Sequence, residues 1–250
     1  MSTLSPGLAA DMSDAELAVA LADGAGRLLV ALRDTGMFAG KALGKAGDAV
    51  AHQFLVHALA HLRPEDGVLS EEGAADPKRL SMSRVWIVDP VDGTREYGEA
   101  RSDWAVHVAL SIDGRPAIGA VAQPDLPATY STSDCALGDC PGELRILVSR
   151  TRPPEQAERA AAALGARLVG MGSAGAKTMA VVRGEAQAYV HAGGQYEWDS
   201  CAPVAVAAAA GLHVSRLDGS PLIYNRSDPY LPDIVVCRPE LRDRLLAALR

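Results

Sequence analysis

The chain has 250 residues, 48% of them hydrophobic and only 4% aromatic, with a formal net charge of −7 at pH 7. That length and apolar content bury a sizeable core and exclude a disordered chain. The acidic balance excludes a general nucleic-acid binder, which would show a basic face. Small anionic substrates stay open, because a bound divalent cation reverses the sign of a local field.

The chain opens with a loose leader up to about Asp11. Ser13-Asp14-Ala15-Glu16 matches a capping box, and Leu17, Leu21, Leu28, Leu29 and Leu32 follow at helical spacing, so a helix is expected to about Asp34. Gly24 and Gly26 within it suit close packing against a neighbour. Gly36 to Gly47 reads as a connector, with Asp48 capping a second helix that carries Phe54, Leu55, Leu59 and Leu62 on one side. His52, His57 and His61 on that helix lack a supporting carboxylate motif, so surface or packing roles are expected. Val68-Leu69-Ser70 is a short strand ending in Glu71-Glu72. Val85 to Val88 is a β-branched, apolar strand ending at Asp89. Pro90 cannot donate to a ladder, so pairing is expected to stop there. Asp92-Gly93 adds a second carboxylate and a permissive turn residue, and Thr94 opens a short helix through Tyr97. Trp104 to Ile112 forms a strand that turns at Asp113-Gly114 into another over Ala117 to Ala122.

Ser131 to Gly142 is small, polar and turn-prone. It divides an amino-terminal half, residues 1–140, with an antiparallel sheet, from a carboxyl-terminal half, residues 141–250, in which strands and helices alternate. There, strands are expected at Leu144–Val148, Arg167–Val169, Ala186–His191, Val214 and Ile234–Cys237. Helices are expected at Pro153–Leu164, Ala174–Val182, Ser200–Ala210 and from Pro239. The four cysteines, Cys135, Cys140, Cys201 and Cys237, form no zinc spacing. They read as reduced thiols, the last two in the interior. With no secretory signal and no apolar segment of bilayer length, the expected compartment is the cytoplasm.

Three carboxylate sets sit at the ends of elements: Glu71-Glu72, Asp89 with Asp92, and Asp199. Taken singly each has an ordinary use, as a solvated edge, a turn, or a helix cap. Taken together, two carboxylates at a strand end beside free helical N–H groups suit Mg²⁺ and phosphate. In this order the motifs resemble the inositol monophosphatase superfamily of magnesium-dependent, lithium-sensitive phosphatases. Asp89-Pro90-Val91-Asp92-Gly93-Thr94 matches its DPxDGT signature, Trp198-Asp199-Ser200-Cys201-Ala202-Pro203 is similar to its WDxAAP, and Glu71-Glu72 matches its upstream pair.

The resemblance implies the layered αβαβα sandwich of the sugar-phosphatase fold and a site holding more than one Mg²⁺. The metal ligands it implies are Glu71, Asp89, Asp92, Asp199 and the Val91 carbonyl. Glu71 and Thr94 would orient the attacking water, Asp48 would contribute through an outer metal, and Gly93, Thr94 and Arg95 would present amides to the phosphate. Gly172-Ser173-Ala174-Gly175-Ala176-Lys177, Glu197, and the segment Gly219 to Asn225 resemble the 3'(2'),5'-bisphosphate nucleotidase branch. That branch implies substrate contacts from Gly172, Ser173, Lys177, Glu197, Asp92 and Asp199, with Ser173 and Lys177 on a second, non-reacting phosphate. The implied reaction is removal of the 3'-phosphate of 3'-phosphoadenosine 5'-phosphate, a step linked to sulfate assimilation. The rival is an inositol-1-monophosphatase with side activity on fructose 1,6-bisphosphate. A homodimer is expected, with neither nucleic-acid polymer nor membrane as partner.

Overall fold

The computed structural model describes residues 11–74 and 76–250. Of the expected leader, residues 1–10 lie outside the described residues. Helix α1 (Asp14–Asp34) starts at the expected capping box: the Glu16 amide donates to Ser13 Oγ and the Ser13 amide to Glu16 Oε2. Its glycines are sites of close approach. A Cβ at Gly24 would meet the Phe54 ring at 2.9 Å, and one at Gly26 would meet Pro124 at 2.8 Å.

The second helix, α2 (Gly40–Leu62), starts well before the expected cap at Asp48, which lies in its interior. Glycines at 44 and 47 lower helix propensity, but packing overrides it. A Cβ at Gly44 would meet Thr94 Cγ2, and one at Gly47 the Tyr97 ring, each at 2.7 Å. Only a glycine-lined helix face can lie this close to α3 (Thr94–Gly98). His52 bonds Ser70 and His57 bonds Gln53, so these histidines serve packing and surface roles.

The first sheet has the order β1-β2-β3-β4-β5, from β1 (Gly67–Ser70), β2 (Arg84–Asp92), β3 (Ala105–Ile112), β4 (Arg115–Gln123) and β5 (Ala128–Ser131). β1 runs parallel to β2, and the remaining neighbours are antiparallel. β5 was not foreseen, since Ala128-Thr129-Tyr130-Ser131 is too short and mixed to show a period. Pairing does not stop at Pro90 either. β2 steps over Asp89 to Asp92 with a register shift and pairs again at Asp92 with Ala105. Proline is tolerated at such a bulge because its missing donor falls where the ladder is already broken.

The second sheet has the order β7-β6-β8-β10-β9, from β6 (Arg145–Ser149), β7 (Arg167–Met171), β8 (Ala188–Ala192), β9 (His213–Ser215) and β10 (Asp233–Cys237). Its helices are α4 (Glu155–Leu164), α5 (Ala174–Val182), α6 (Glu197–Ala209) and α7 (Arg242–Leu249). Three apolar clusters fill the spaces between five layers. One joins α1 and α2 to the outer face of the first sheet, one buries α5 and α6 between the sheets, and one joins α4 and α7 to the second sheet. The result is an αβαβα sandwich. All four cysteines are free thiols, with Cys201 and Cys237 buried. Among the described residues no helix is long and apolar enough to cross a membrane.

Candidate active site

The bulge in β2 and the first turn of α6 bring three acids together. Carboxylate oxygens of Asp89, Asp92 and Asp199 lie within 4.8 Å of one another. Asp89 is buried and accepts the Val91 amide at 3.1 Å. Burial, then the charges of Glu71, Asp92 and Asp199, push its pKa well up. Asp199 lies within the first turn of α6, which begins at Glu197 rather than at Ser200, and it accepts the Tyr196 amide at 2.6 Å. Burial and Asp92 push it up to about 7.

Glu71 stands beside this trio, on the turn after β1. It keeps surface open to solvent, yet protein crowds its carboxyl. Desolvation, followed by Asp199 and Asp48, pushes it up to about 8. Asp48 reaches in from α2 and is pushed up to about 6 by burial and Glu72. The Thr94 hydroxyl lies 3.2 Å from Asp48 Oδ1 and 3.1 Å from the Val91 carbonyl, so its single proton serves one or the other. Buried acids with raised pKa values are under-compensated, and this donor set of hard oxygens fits divalent cations.

Asp92 differs from its neighbours. Burial opposes its charge, but the adjoining His107 ring, the Ser173 hydroxyl and the Lys177 ammonium hold it down at about 2. Oδ2 accepts Ser173 Oγ and the Gly175 amide, both at 2.6 Å, and Oδ1 accepts the Ala174 amide at 3.0 Å. The N-terminus of α5 therefore closes on Asp92 rather than standing open. Ser173 also caps α5, accepting the Ala176 amide at 2.9 Å, and does so at φ +34°, a strained value for a serine. Gly93 at φ +91° turns the chain into α3, whose first amides have no intrahelical acceptor. Thr94 and Arg95 stand at that helix start.

Two expected substrate residues are placed otherwise. Glu197 is fully buried and spends its oxygens on the Asn225 and Arg226 amides, at 2.6 and 2.8 Å. It anchors the Gly219–Asn225 loop. Lys177 is buried and donates to the Gly172 and Ser173 carbonyls, so its ammonium underpins the loop from below. Burial brings it down to about 8. A cleft of about 480 Å³ opens above this loop, lined by Arg95, Arg150, Arg152, Gly172, Ser173 and Lys177 among others. Arg150 and Arg152 were not foreseen. They follow β6 at its carboxyl end, and the Ser149-Arg150-Thr151-Arg152 run was the available signal. His107 was missed as well, being a lone histidine in an apolar strand.

The inositol monophosphatase family model matches residues 16–250. The chain belongs to the inositol monophosphatase family. A relative from Mycobacterium leprae, named 3'-phosphoadenosine 5'-phosphate phosphatase, is 49% identical over 96% of this chain and 95% of its own length. One from Escherichia coli K12, named 3'(2'),5'-bisphosphate nucleotidase CysQ, is 34% identical over 74% of this chain and 81% of its own. Among solved structures, inositol monophosphatase II from Staphylococcus aureus superposes with a TM-score of 0.78 at 22% identity, covering 91% of this chain and 90% of that one. That last likeness supports the family fold.

Proposed function

We propose that the chain is a Mg²⁺-dependent phosphatase that releases the 3'-phosphate of 3'-phosphoadenosine 5'-phosphate. The observation that carries this reading is the adjacency of the acidic cluster to the arginine-lined cleft. One end suits a phosphoryl group held through cations, and the other a second phosphate on the same molecule. The names of the mycobacterial and E. coli relatives support the nucleotide class. Arg150 is already paired with Glu96 at 2.8 Å and Glu99 at 3.2 Å, whereas Arg152 has no carboxylate partner among the described residues. An inositol monophosphate carries no second phosphate for Arg152, and that rival is not favoured.

Glu71, Asp89, Asp92, Asp199 and the Val91 carbonyl would hold the cations, more than one per site. When bound, these supply charge neutralisation and Lewis-acid activation of water. The chain's own groups position the rest. Gly93, Thr94 and Arg95 present amides to the reacting phosphate. Glu71 and Thr94 orient the water, Glu71 receives its proton, and Asp48 steadies the Thr94 hydroxyl. Ser173 and the Gly172 turn face the second phosphate, with Lys177 contributing charge from beneath.

The test is phosphate release from 3'-phosphoadenosine 5'-phosphate, 3'-AMP and inositol 1-phosphate, with Mg²⁺ and with EDTA. The bisphosphate should give the highest kcat/KM, and EDTA should abolish turnover. Equal or better turnover of inositol 1-phosphate would overturn the nucleotide assignment.

A further inference from the structure

His107 lies in β3 and is fully buried. Its Nδ1 is 3.1 Å from the Trp198 carbonyl, and its Nε2 is 3.0 Å from Asp92 Oδ2. A carbonyl only accepts, so Nδ1 carries a proton. A bare Nε2 would aim its lone pair at a carboxylate, so Nε2 carries one too. The Nε2 contact is off the direction of a straight hydrogen bond, and among the described residues no other acceptor serves that atom. The attraction is therefore chiefly one of charge. On the remaining side Gly175 comes so close that a Cβ there would overlap Nε2, while its amide donates to the same Asp92 oxygen.

One ring thus touches three segments: the strand end bearing Asp92, the helix turn bearing Asp199, and the start of α5. We propose that His107 is a positioning residue that fixes the Asp92 carboxylate against the first turn of α6 and so sets the spacing of the cation ligands. The inference rests on reading the acidic cluster as a divalent-cation site. An ordinary core histidine would satisfy its nitrogens with neighbouring backbone. This one is held between a ligand carboxylate and the residue next to another ligand.

The experiment measures Mg²⁺ binding without substrate, by calorimetry, on wild-type protein, His107→Leu and His107→Gln, with Mn²⁺ as a second probe. Loss of a partner that orients a metal ligand weakens affinity about 10- to 100-fold. His107→Leu, similar in bulk and unable to donate, should fall in that range. His107→Gln, which restores an N–H donor, should recover part of the loss. A readout in the unaltered protein accompanies these: with ¹⁵N-labelled histidine, saturating Mg²⁺ should shift the His107 Nε2 resonance. Mg²⁺ affinity of His107→Leu within twofold of wild type would refute the proposal, as would a ring signal that Mg²⁺ leaves unmoved. Where the leucine variant fails to fold, the glutamine variant and the ring signal decide. Phosphate release is not read, so failure of the nucleotide assignment and failure of this inference give separate results.

Discussion

Asp89 and Asp92 are both buried in one acidic cluster, yet replacing each by asparagine should move the metal-free protein in opposite directions. Asp92 accepts three hydrogen bonds, from Ser173 Oγ and the Gly175 and Ala174 amides, and pairs with His107 at 3.0 Å. An asparagine offers one oxygen to these four groups. Its amide should turn so that Nδ2 faces Ala174 alone, leaving one buried N–H without an acceptor at about 1–3 kcal/mol. The contacts that remain lose charge assistance, about 1 kcal/mol more, for a total near 2–4 kcal/mol. Among the described residues Asp89 accepts only the Val91 amide, and its charge is disfavoured by burial and by its acidic neighbours. Asparagine there keeps the acceptor and removes the charge, so stability without metal should hold or rise. Both variants should lose phosphate release, because each removes an anionic ligand. Urea unfolding in EDTA at pH 7, beside an activity assay in Mg²⁺, reads both effects. Unchanged stability in Asp92→Asn, or a loss beyond about 1 kcal/mol in Asp89→Asn, would refute the reasoning.

Arg152→Ala should raise KM for 3'-phosphoadenosine 5'-phosphate about tenfold, in line with loss of a charge-assisted contact. KM for 3'-AMP, which lacks the second phosphate, should stay near its wild-type value, and steady-state kinetics on the two substrates compare them. His191 is held down at about 4 by burial. The unfolded chain therefore binds a proton that the fold refuses, and stability falls as pH drops from the ordinary value of 6.5 toward 4. Urea unfolding of His191→Gln should show a shallower slope across that window, and an identical slope would refute the assignment. Lithium at millimolar concentration should inhibit phosphate release, by occupying a cation position that it cannot serve.

Much of the molecule was legible because local chemistry and global packing agree. The capping box at Ser13, the Asp113-Gly114 hairpin and the alternation after residue 144 each specify an element that the fold keeps. The gathering of Asp89, Asp92 and Asp199 was legible because DPxDGT and WD motifs fix residue types at fixed spacing. The failures fall where tertiary packing decides. Gly44 and Gly47 argue locally against helix, and only the approach of Thr94 and Tyr97 explains them. Glu197 has the chemistry of a ligand contact, and nothing local reveals that two amides of a distant loop claim it. His107 likewise takes its meaning from Asp92, Trp198 and Gly175, none of them its neighbour in sequence.

The helix that delivers Asp199 is, with α5, wedged between the two sheets. It leans on β4 at Gly119, where a Cβ would meet the Ala202 carbonyl at 2.6 Å and Ala205 at 2.9 Å. Interiors this dense transmit displacement instead of absorbing it. An added methyl group at Gly119, on a strand outside the acidic cluster, would therefore displace that rod within a turn of Asp199 and reset where its carboxylate sits in the cluster. Catalytic tuning in this protein can thus arise from a spacer as remote and chemically mute as a glycine.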